Sequence, residues 1–156
     1  MDKVTTWLWC DGTAEEQARF YTALVPGSAI TRTMRAPLDN PSTPAGAVLT
    51  VEFTLAGRAF ALLNGGAAFR QSEAASLMVL CEDQAEVDLY WDAFIEGGGT
   101  ESACGWLKDR WGVSWQITPR RLLELNNDPV HAPRAMAAMM EMRRIDIAAL
   151  ERAIAS

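Results

Sequence analysis

The segment Glu16-Gln17-Ala18-Arg19-Phe20-Tyr21-Thr22-Ala23 returns seventy positions later as Glu86-Val87-Asp88-Leu89-Tyr90-Trp91-Asp92-Ala93, and this pair of segments decides the fold. A short apolar run precedes each copy, at 6–10 and at 76–81, and a glycine-containing break follows each copy. Apolar residues in both copies recur three or four positions apart, which is the period of an amphipathic helix. The sequence therefore predicts a duplicated unit in which a strand precedes a helix.

Strand patterns complete each unit. Residues 47–55 alternate between apolar and polar types and are rich in β-branched side chains, and 59–63 returns after a turn as a hairpin. A weaker strand pattern covers 28–34, and 102–107 with 113–118 predicts a similar hairpin in the second half. Each half is thus interpreted as βαβββ, which places the chain in the α+β class.

The boundaries follow from these patterns. We predict a single domain over 1–156, with the first repeat at about 4–66, the second at about 75–119 and a helical tail over about 120–156. Thr13 is expected to cap the first helix, with Glu16 completing a capping box, and Asp146 to cap the last helix.

Composition excludes several classes of protein. The net charge is -6, whereas nucleic-acid-binding proteins need an excess of lysine and arginine. Three cysteines without CxxC spacing indicate neither a disulfide framework nor a zinc knuckle. No apolar run approaches the roughly 20 residues of a membrane-spanning helix. By elimination, we expect a cytoplasmic protein that binds neither nucleic acid nor membranes.

Several stretches resemble a known family. The segments 11–21 and, most specifically, 105–117 are similar to those of the PhnB-like branch of the vicinal oxygen chelate superfamily, which includes glyoxalases, bleomycin resistance proteins and dioxygenases. Members of this branch are often labelled 3-demethylubiquinone-9 3-methyltransferase-like. The resemblance implies that the two βαβββ units form a concave mixed sheet around a cavity, and that the protein is a homodimer.

Enzymes of this superfamily usually hold a divalent metal with His and Glu side chains from four strands. The resemblance places those positions at Thr6, Ser76, Gln116 and a residue within 60–64, and none of them is His, Asp or Glu. Neutral hydroxyl and amide groups are poor ligands for zinc, nickel or iron. The sequence therefore predicts a cavity without a metal or other cofactor.

Strand alternation then predicts which side chains line the cavity. If Thr6 faces inward, Leu8 and Cys10 do so too, while Trp7 and Trp9 pack under the helices. The candidate ligand-binding residues are Thr6, Leu8, Cys10, Asn64, Ser76, Met78, Leu80, Cys104, Ser114 and Gln116, with Trp106 and Trp111 at the rim. This set is mostly apolar with a few neutral hydrogen-bonding groups, which suits a small organic molecule.

Three functions remain open at this point. The first is metal-independent binding of a small organic molecule, and the second is an enzyme of the transferase or glyoxalase-type lyase or isomerase class. An enzyme needs an acid or base, and the nearest carboxylates, Glu52, Glu82 and Asp109, are expected at the surface. His131, the single histidine, is expected on the surface or packed within the tail. The third is a structural dimer module without a ligand.

Overall fold

The computed structural model describes residues 2–156 as two compact units, the first ending at Gln71 and the second running from Ser72 to Ser156. The first unit contains β1 (Thr6–Cys10), α1 (Ala14–Leu24), β2 (Ala29–Arg35), β3 (Val48–Leu55) and β4 (Arg58–Asn64). The second contains β5 (Ser76–Cys81), α2 (Gln84–Glu96), β6 (Thr100–Glu101), β7 (Trp106–Lys108) and β8 (Ser114–Pro119), followed by the tail helices α3 (Arg120–Asn127), α4 (Ala132–Met140) and α5 (Ile147–Ala155). The predicted βαβββ duplication with a helical tail is confirmed.

Both units have the same sheet topology. The first sheet has the strand order β1-β4-β3-β2 and the second has the order β5-β8-β7-β6. In each, the first and last strands of the unit pair in parallel and the other pairs are antiparallel. Parallel partners require a long crossover connection, and the helix of each unit lies within it. Each sheet therefore has one face covered by its own helix and one face away from it, which we call the helix-free face.

Aromatic rings connect α1 to the first sheet. Tyr21 is fully buried, and its ring centroid lies 6.2 Å from that of Phe53. Phe53 stands opposite Phe60 in the β3–β4 register, and the two rings stack at 5.6 Å. Ala14 and Ala18 are also fully buried, and their small side chains allow the helix to approach the sheet closely. The face that carries Phe53 and Phe60 is thus the helix-covered face.

The second unit repeats this packing with larger residues. Trp91 is fully buried in α2, and the Phe94 ring lies 4.8 Å from the ring of Trp115 on β8. Leu107 is opposite Trp115 in the β7–β8 register and is also buried. The predicted aromatic stripe therefore packs against the sheet in both units, as expected for an amphipathic helix.

The two helices are capped in different ways. Asp83 caps α2, since its side chain accepts a hydrogen bond from the Glu86 amide. The capping role predicted for Thr13 is wrong, because its side chain makes no cap hydrogen bond. Instead, Oδ1 of Asn64 at the end of β4 accepts a 3.0 Å bond from the Ala14 amide. Asn64, which is distant in sequence, thus accepts a hydrogen bond from the first turn of α1, where the side chain at position 13 was expected to accept one. At α5 the predicted cap is confirmed, with Asp146 accepting from the Ala149 amide.

The strand predicted over 102–107 is interrupted. Cys104 and Gly105 have φ values of 59° and 81°, which lie outside the β region. Their amides donate to the carbonyl oxygens of Met142 and Arg143, at 2.8 Å and 2.7 Å. A β-carbon on Gly105 would lie 2.9 Å from the Ile145 side chain. Contact with the tail therefore breaks the strand between β6 and β7.

The tail helices have their own buried cluster, formed by Leu122, Leu125, Ala135, Ile145 and Leu150. The segment before α5 is fixed to α2 by polar contacts. Arg144 pairs with Asp88 and Asp92 at 3.2 Å and 2.5 Å, and Gln84 bonds the backbone at 145 and 147. The tail is thus an integral part of the second unit. Within residues 2–156, every helix is too short or too polar to cross a lipid bilayer.

Candidate functional site

The structure decides which face of the first sheet each β1 side chain occupies. The Cys10 thiol lies 3.2 Å from Asn64 Oδ1, and the same oxygen accepts from the first amide of α1. Cys10 and Asn64 therefore lie on the helix-covered face, and alternation places Thr6 and Leu8 there as well. Trp7 and Trp9 lie on the helix-free face. The predicted orientation, with Thr6 inward and the tryptophans beneath the helix, is the reverse of the one observed.

A groove with a volume of about 390 Å³ lies in the first unit and includes the helix-free-face side chains of Trp7, Glu52 and Thr54. We call it the Trp7 groove. It is lined by Asp2, Thr5, Trp7, Thr31, Glu52, Phe53, Thr54, Gly57, Ala59 and Phe60. The indole of Trp7 is 51% exposed, so a bound molecule could reach it.

The strand register explains how the groove is formed. Trp7 on β1 is opposite Ala61 on β4, and Ala61 is opposite Glu52 on β3. The central strand thus contributes only a methyl group between an aromatic and an acidic side chain. In the next row, Ala59 is opposite Thr54, again with a small residue on the central strand. Glu52 was expected at the surface, but its half-buried side chain lines this groove.

The other end of the same face is covered. The Trp9 indole nitrogen donates to the Gly66 carbonyl oxygen at 2.8 Å, and the Trp9 and Phe69 rings meet edge to face at 4.8 Å. A β-carbon at Gly65 would come within 2.3 Å of the Trp9 ring, so this position has no room for a side chain. The segment after β4 therefore packs over Trp9 and leaves Trp7 accessible.

The helix-free face of the second unit brings several predicted residues together. Gln116 on β8 is opposite Met78 on one side and Trp106 on the other. Its amide nitrogen donates a 2.8 Å hydrogen bond to the hydroxyl of Ser76. Ser114, opposite Ser76, is 1% exposed, and its hydroxyl has no hydrogen-bond partner among residues 2–156. These side chains form a neutral hydrogen-bonding row.

The three cysteines lie in different settings. Cys10 and Cys81 are buried at the ends of β1 and β5. Burial raises the pKa of the Cys10 thiol to about 11 and that of the Cys81 thiol to about 12. Both thiols are therefore protonated at neutral pH and are poor nucleophiles. Cys104 is half-buried on the loop that contacts the tail, rather than on a strand.

The remaining acid–base candidates have structural partners. Asp109 is buried and accepts hydrogen bonds from the amides of Trp111 and Val113 and from the Trp115 indole. The Arg120 guanidinium beside Glu82 lowers the pKa of that carboxyl group. His131 lies 2.6 Å from the Asp128 carboxylate at the start of α4. Asp109 is thus part of a turn, Glu82 part of a surface ion pair, and His131 part of the start of a helix.

The superfamily's usual metal does not fit these donors. Thr6 lies on the helix-covered face, and the Gln116 amide nitrogen is directed at Ser76, so no convergent set of anionic or imidazole ligands forms at these positions. Within residues 2–156, no three His, Cys, Asp or Glu side chains are grouped in a way that could hold a metal ion.

Sequence reasoning missed the residues of the Trp7 groove because it assigned β1 to the wrong face. The strand–helix loops contained the relevant signal. Asp11–Thr13 has three residues, whereas Glu82–Asp83 has two. Aligning the repeats on Cys10 and Cys81, the last residues of their strands, would have made Thr5 the counterpart of Ser76 and placed Trp7 on the helix-free face.

Comparison with known proteins agrees with this architecture. The model of the 3-demethylubiquinone-9 3-methyltransferase family matches residues 2–118, which leaves α3–α5 outside it. A PhnB protein from Bacillus cereus, provisionally named for the same family, is 32% identical with a TM-score of 0.67, covering 76% of this chain and 99% of that one. Protein PA1353 from Pseudomonas aeruginosa shares the fold at 18% identity and a TM-score of 0.61, covering 76% and 98%. No protein with a curated functional description matches the chain. The chain therefore belongs to the 3-demethylubiquinone-9 3-methyltransferase family, the PhnB-like branch of the vicinal oxygen chelate superfamily.

Proposed function

We propose that this protein binds a small organic molecule without the help of a metal ion. The observation that carries the proposal is the Trp7 groove, whose volume of about 390 Å³ is in the range of small-molecule sites. An exposed indole provides a flat apolar wall, and the Thr5 and Thr54 hydroxyls with the Glu52 carboxylate provide polar groups that can orient a ligand. Such a mixture of apolar walls and a few polar groups is typical of binding sites for small molecules.

The second unit supports the metal-independent part of the proposal. Its helix-free face offers the Ser76 hydroxyl, the Gln116 amide and the buried Ser114 hydroxyl, all of them neutral. A buried hydroxyl without a partner costs about 1–3 kcal/mol, which a hydrogen bond from a ligand or a water would recover. These groups can bind a carbonyl or hydroxyl directly, so recognition there requires no ion.

A catalytic role is the second candidate, and the observation that favours it is Glu52. A carboxylate that lines a groove can accept a proton from a bound molecule, as a lyase or isomerase of glyoxalase type requires. The family name denotes methyl transfer instead. A common methyl-donor site uses a glycine-rich loop between a strand and a helix, and the loops Asp11–Thr13 and Glu82–Asp83 do not have that pattern.

The proposal includes a cytoplasmic location and a homodimer. Cys10, Cys81 and Cys104 are free thiols, which suit a reducing compartment. The exposed apolar side chains of Met136 and Met140 on α4 offer a candidate contact between two chains. Sedimentation that showed only monomers at micromolar concentration would refute the dimer.

The test is a thermal-shift screen of small organic molecules on protein treated with EDTA and checked for metals by elemental analysis. We expect at least one chemical class to raise the melting temperature equally with and without added Zn²⁺. Trp7→Ala should remove this shift because it deletes one wall of the groove. Leu89→Ala, which removes an exposed apolar side chain from α2, serves as the matched control and should keep the shift.

Two results would contradict the proposal. The first is that no compound class stabilises the EDTA-treated protein. The second is that stabilisation appears only after a transition metal is restored. A shift that survives Trp7→Ala would show that the ligand binds outside the Trp7 groove.

A further inference from the structure

We infer that the Trp7 groove selects a flat organic cation, such as a quaternary or protonated nitrogen carried on an aromatic ring. This inference rests on the proposed function, because it specifies the chemical class of the ligand that the groove holds. It is carried by three features of the groove: the negative charge of its lining, the absence of a lysine or arginine partner for Glu52 within residues 2–156, and the position of Trp7.

The charge of the lining is entirely negative. Among the lining residues, Asp2 and Glu52 are acidic, and none is lysine or arginine. A bound cation would be attracted by both carboxylates, whereas a bound anion would be repelled by them. The groove therefore discriminates by the sign of the ligand's charge.

The Glu52 carboxylate has no internal cation. Within residues 2–156, no lysine or arginine nitrogen lies within 4.0 Å of it, whereas Glu73 is paired with Lys108 and Glu82 with Arg120. Arg32 stands opposite Glu52 in the β2–β3 register, but its side chain is exposed and forms no ion pair with it. A half-buried carboxylate without a counter-ion favours a cation supplied from outside.

Trp7 supplies the second contact. Trp7 and Glu52 are two strands apart, and strands are spaced by about 4.8 Å, so their backbones are separated by about 10 Å. An aromatic ring that stacks on the indole fits in this interval, and its positive charge then lies between the indole face and the carboxylate. Tryptophan is the side chain that attracts cations most strongly through its ring face. The same position thus satisfies stacking and charge pairing.

The experiment compares three ligands of similar shape by isothermal titration calorimetry: N-methylquinolinium, which is cationic, quinoline, which is neutral at pH 8, and 2-naphthoate, which is anionic. We expect N-methylquinolinium to bind at least about tenfold more tightly than quinoline, and 2-naphthoate to bind most weakly. This preference should decrease as salt is added, because charge attraction in an open groove is screened.

Glu52→Gln removes the charge and keeps the size of the side chain. It should reduce the preference for the cation severalfold while leaving the affinity for quinoline unchanged, since Asp2 and Trp7 remain. Glu96→Gln, at an exposed position on α2, changes the net charge equally and should leave the preference intact. Circular dichroism melting of each variant establishes that it is folded. If Glu52→Gln does not fold, the salt dependence of the wild-type preference decides the question.

The possible failures are distinguishable. If quinoline or 2-naphthoate binds the wild-type protein as tightly as N-methylquinolinium, the selection of cations is wrong, while the proposed binding of a small molecule stands. If none of the three ligands binds, and the thermal-shift screen also finds no ligand, the proposed function fails and the inference fails with it. A cation preference that Glu52→Gln leaves unchanged would assign the selection to other residues.

Discussion

The two βαβββ units have the same topology, but the loop between their first strand and their helix differs in length by one residue. Their helices repeat at a distance of seventy positions, as Tyr21 and Trp91 show, and both of these side chains are fully buried. Their first strands repeat at seventy-one, as Cys10 and Cys81 show, because the strand–helix loop is one residue shorter in the second unit. Since side chains alternate along a strand, a slip of one residue exchanges the two faces. A repeat detected in helices therefore cannot be extended into the strands without counting the loop.

The helix-free faces differ in chemistry once they are aligned in this way. In the first unit, the row across the sheet is Trp7, Ala61 and Glu52, and the middle residue is small. In the second unit, the corresponding row is Met78, Gln116 and Trp106, and the middle residue is a long amide. The first unit thus has a groove with an acidic wall, whereas the second has a neutral hydrogen-bonding row. The helix-covered faces have kept a common structural role in both units.

The largest expected effect concerns the alkylation rates of Cys10 and Cys81, the thiols at equivalent positions in the two units. At pH 8 a pKa of about 11 leaves about a thousandth of Cys10 as thiolate, and a pKa of about 12 leaves about tenfold less of Cys81. We expect iodoacetamide to modify Cys10 on the order of a hundredfold more slowly in the folded protein than in urea, and Cys81 on the order of a thousandfold more slowly. Both rates should rise about tenfold per pH unit between pH 8 and 10, because a raised pKa delays ionisation to higher pH.

Peptide mass spectrometry over time measures these rates, with the half-buried Cys104 as the internal reference that reacts first. Burial is the largest cause of both pKa shifts, and three nearby carboxylates, those of Glu82, Asp83 and Glu86, raise the Cys81 pKa further. Modification of Cys81 before Cys10 would contradict this account of the two sites.

The next effect is the loss of stability when a glycine is replaced by alanine, at one position with room for a β-carbon and at one without. Gly105→Ala in the second unit combines a positive φ with a contact of 2.9 Å to Ile145, so it should destabilise the protein by about 3 kcal/mol. Gly57→Ala, in the β3–β4 turn of the first unit, has a similar φ but no heavy atom within 4 Å, and it should cost about 1 kcal/mol. Urea denaturation gives both values. Equal losses would show that the tail does not restrict the β6–β7 loop.

A smaller loss is expected at Asn64, which has no counterpart in the second unit, where Pro119 takes the equivalent place. Asn64→Ala removes the bond from the Ala14 amide and the 3.0 Å bond to the Val48 carbonyl oxygen, and it should cost about 2 kcal/mol. Asn64→Asp keeps the acceptor at the start of α1 and should cost less. Urea denaturation would refute the capping role if Asn64→Asp were as damaging as Asn64→Ala.

The smallest expected effect concerns the size of the side chain at Ala59, on the central strand of the first unit. Ala59 is the counterpart of Ser114, and it lines the Trp7 groove between β1 and β3. Ala59→Gln should fill the groove and weaken the binding of N-methylquinolinium about tenfold, whereas Ala59→Ser should change it less than twofold. Calorimetry on the two variants measures this difference. Unchanged binding in Ala59→Gln would place the ligand elsewhere.

The sequence alone predicts the features of the fold that depend on residues close to one another along the chain. The stripes on α1 and α2 predicted both helices, and Asp146 was recognised as the cap of α5 because its partner is three residues away. The features that it did not predict depend on distant contacts. Asn64 caps α1 from another strand, and the tail carbonyls of Met142 and Arg143 break the strand at Cys104 and Gly105.

In the second unit, the candidate residues share the face that strand alternation predicts for them. Ser76, Met78, Trp106 and Gln116 lie together on the helix-free face, as alternation from Ser76 required. In the first unit, Thr6, Leu8, Cys10 and Asn64 lie on the helix-covered face, and Glu52 and Trp7 take the accessible positions. The difference arises from one loop residue, which the helix repeat does not reveal and which an alignment of the strand ends at Cys10 and Cys81 does.

The measurement that tests the central claim most directly is ¹⁹F NMR of the EDTA-treated protein labelled with 5-fluorotryptophan. The protein has six tryptophans, and Trp7→Phe identifies the signal of Trp7. Addition of N-methylquinolinium or quinoline should shift the Trp7 signal in a saturable way, while that of Trp115, which is buried under α2, stays in place. A Trp7 signal that moves neither with these ligands nor with any compound from the thermal-shift screen, or that moves only after Zn²⁺ is added, would contradict metal-independent binding in the Trp7 groove.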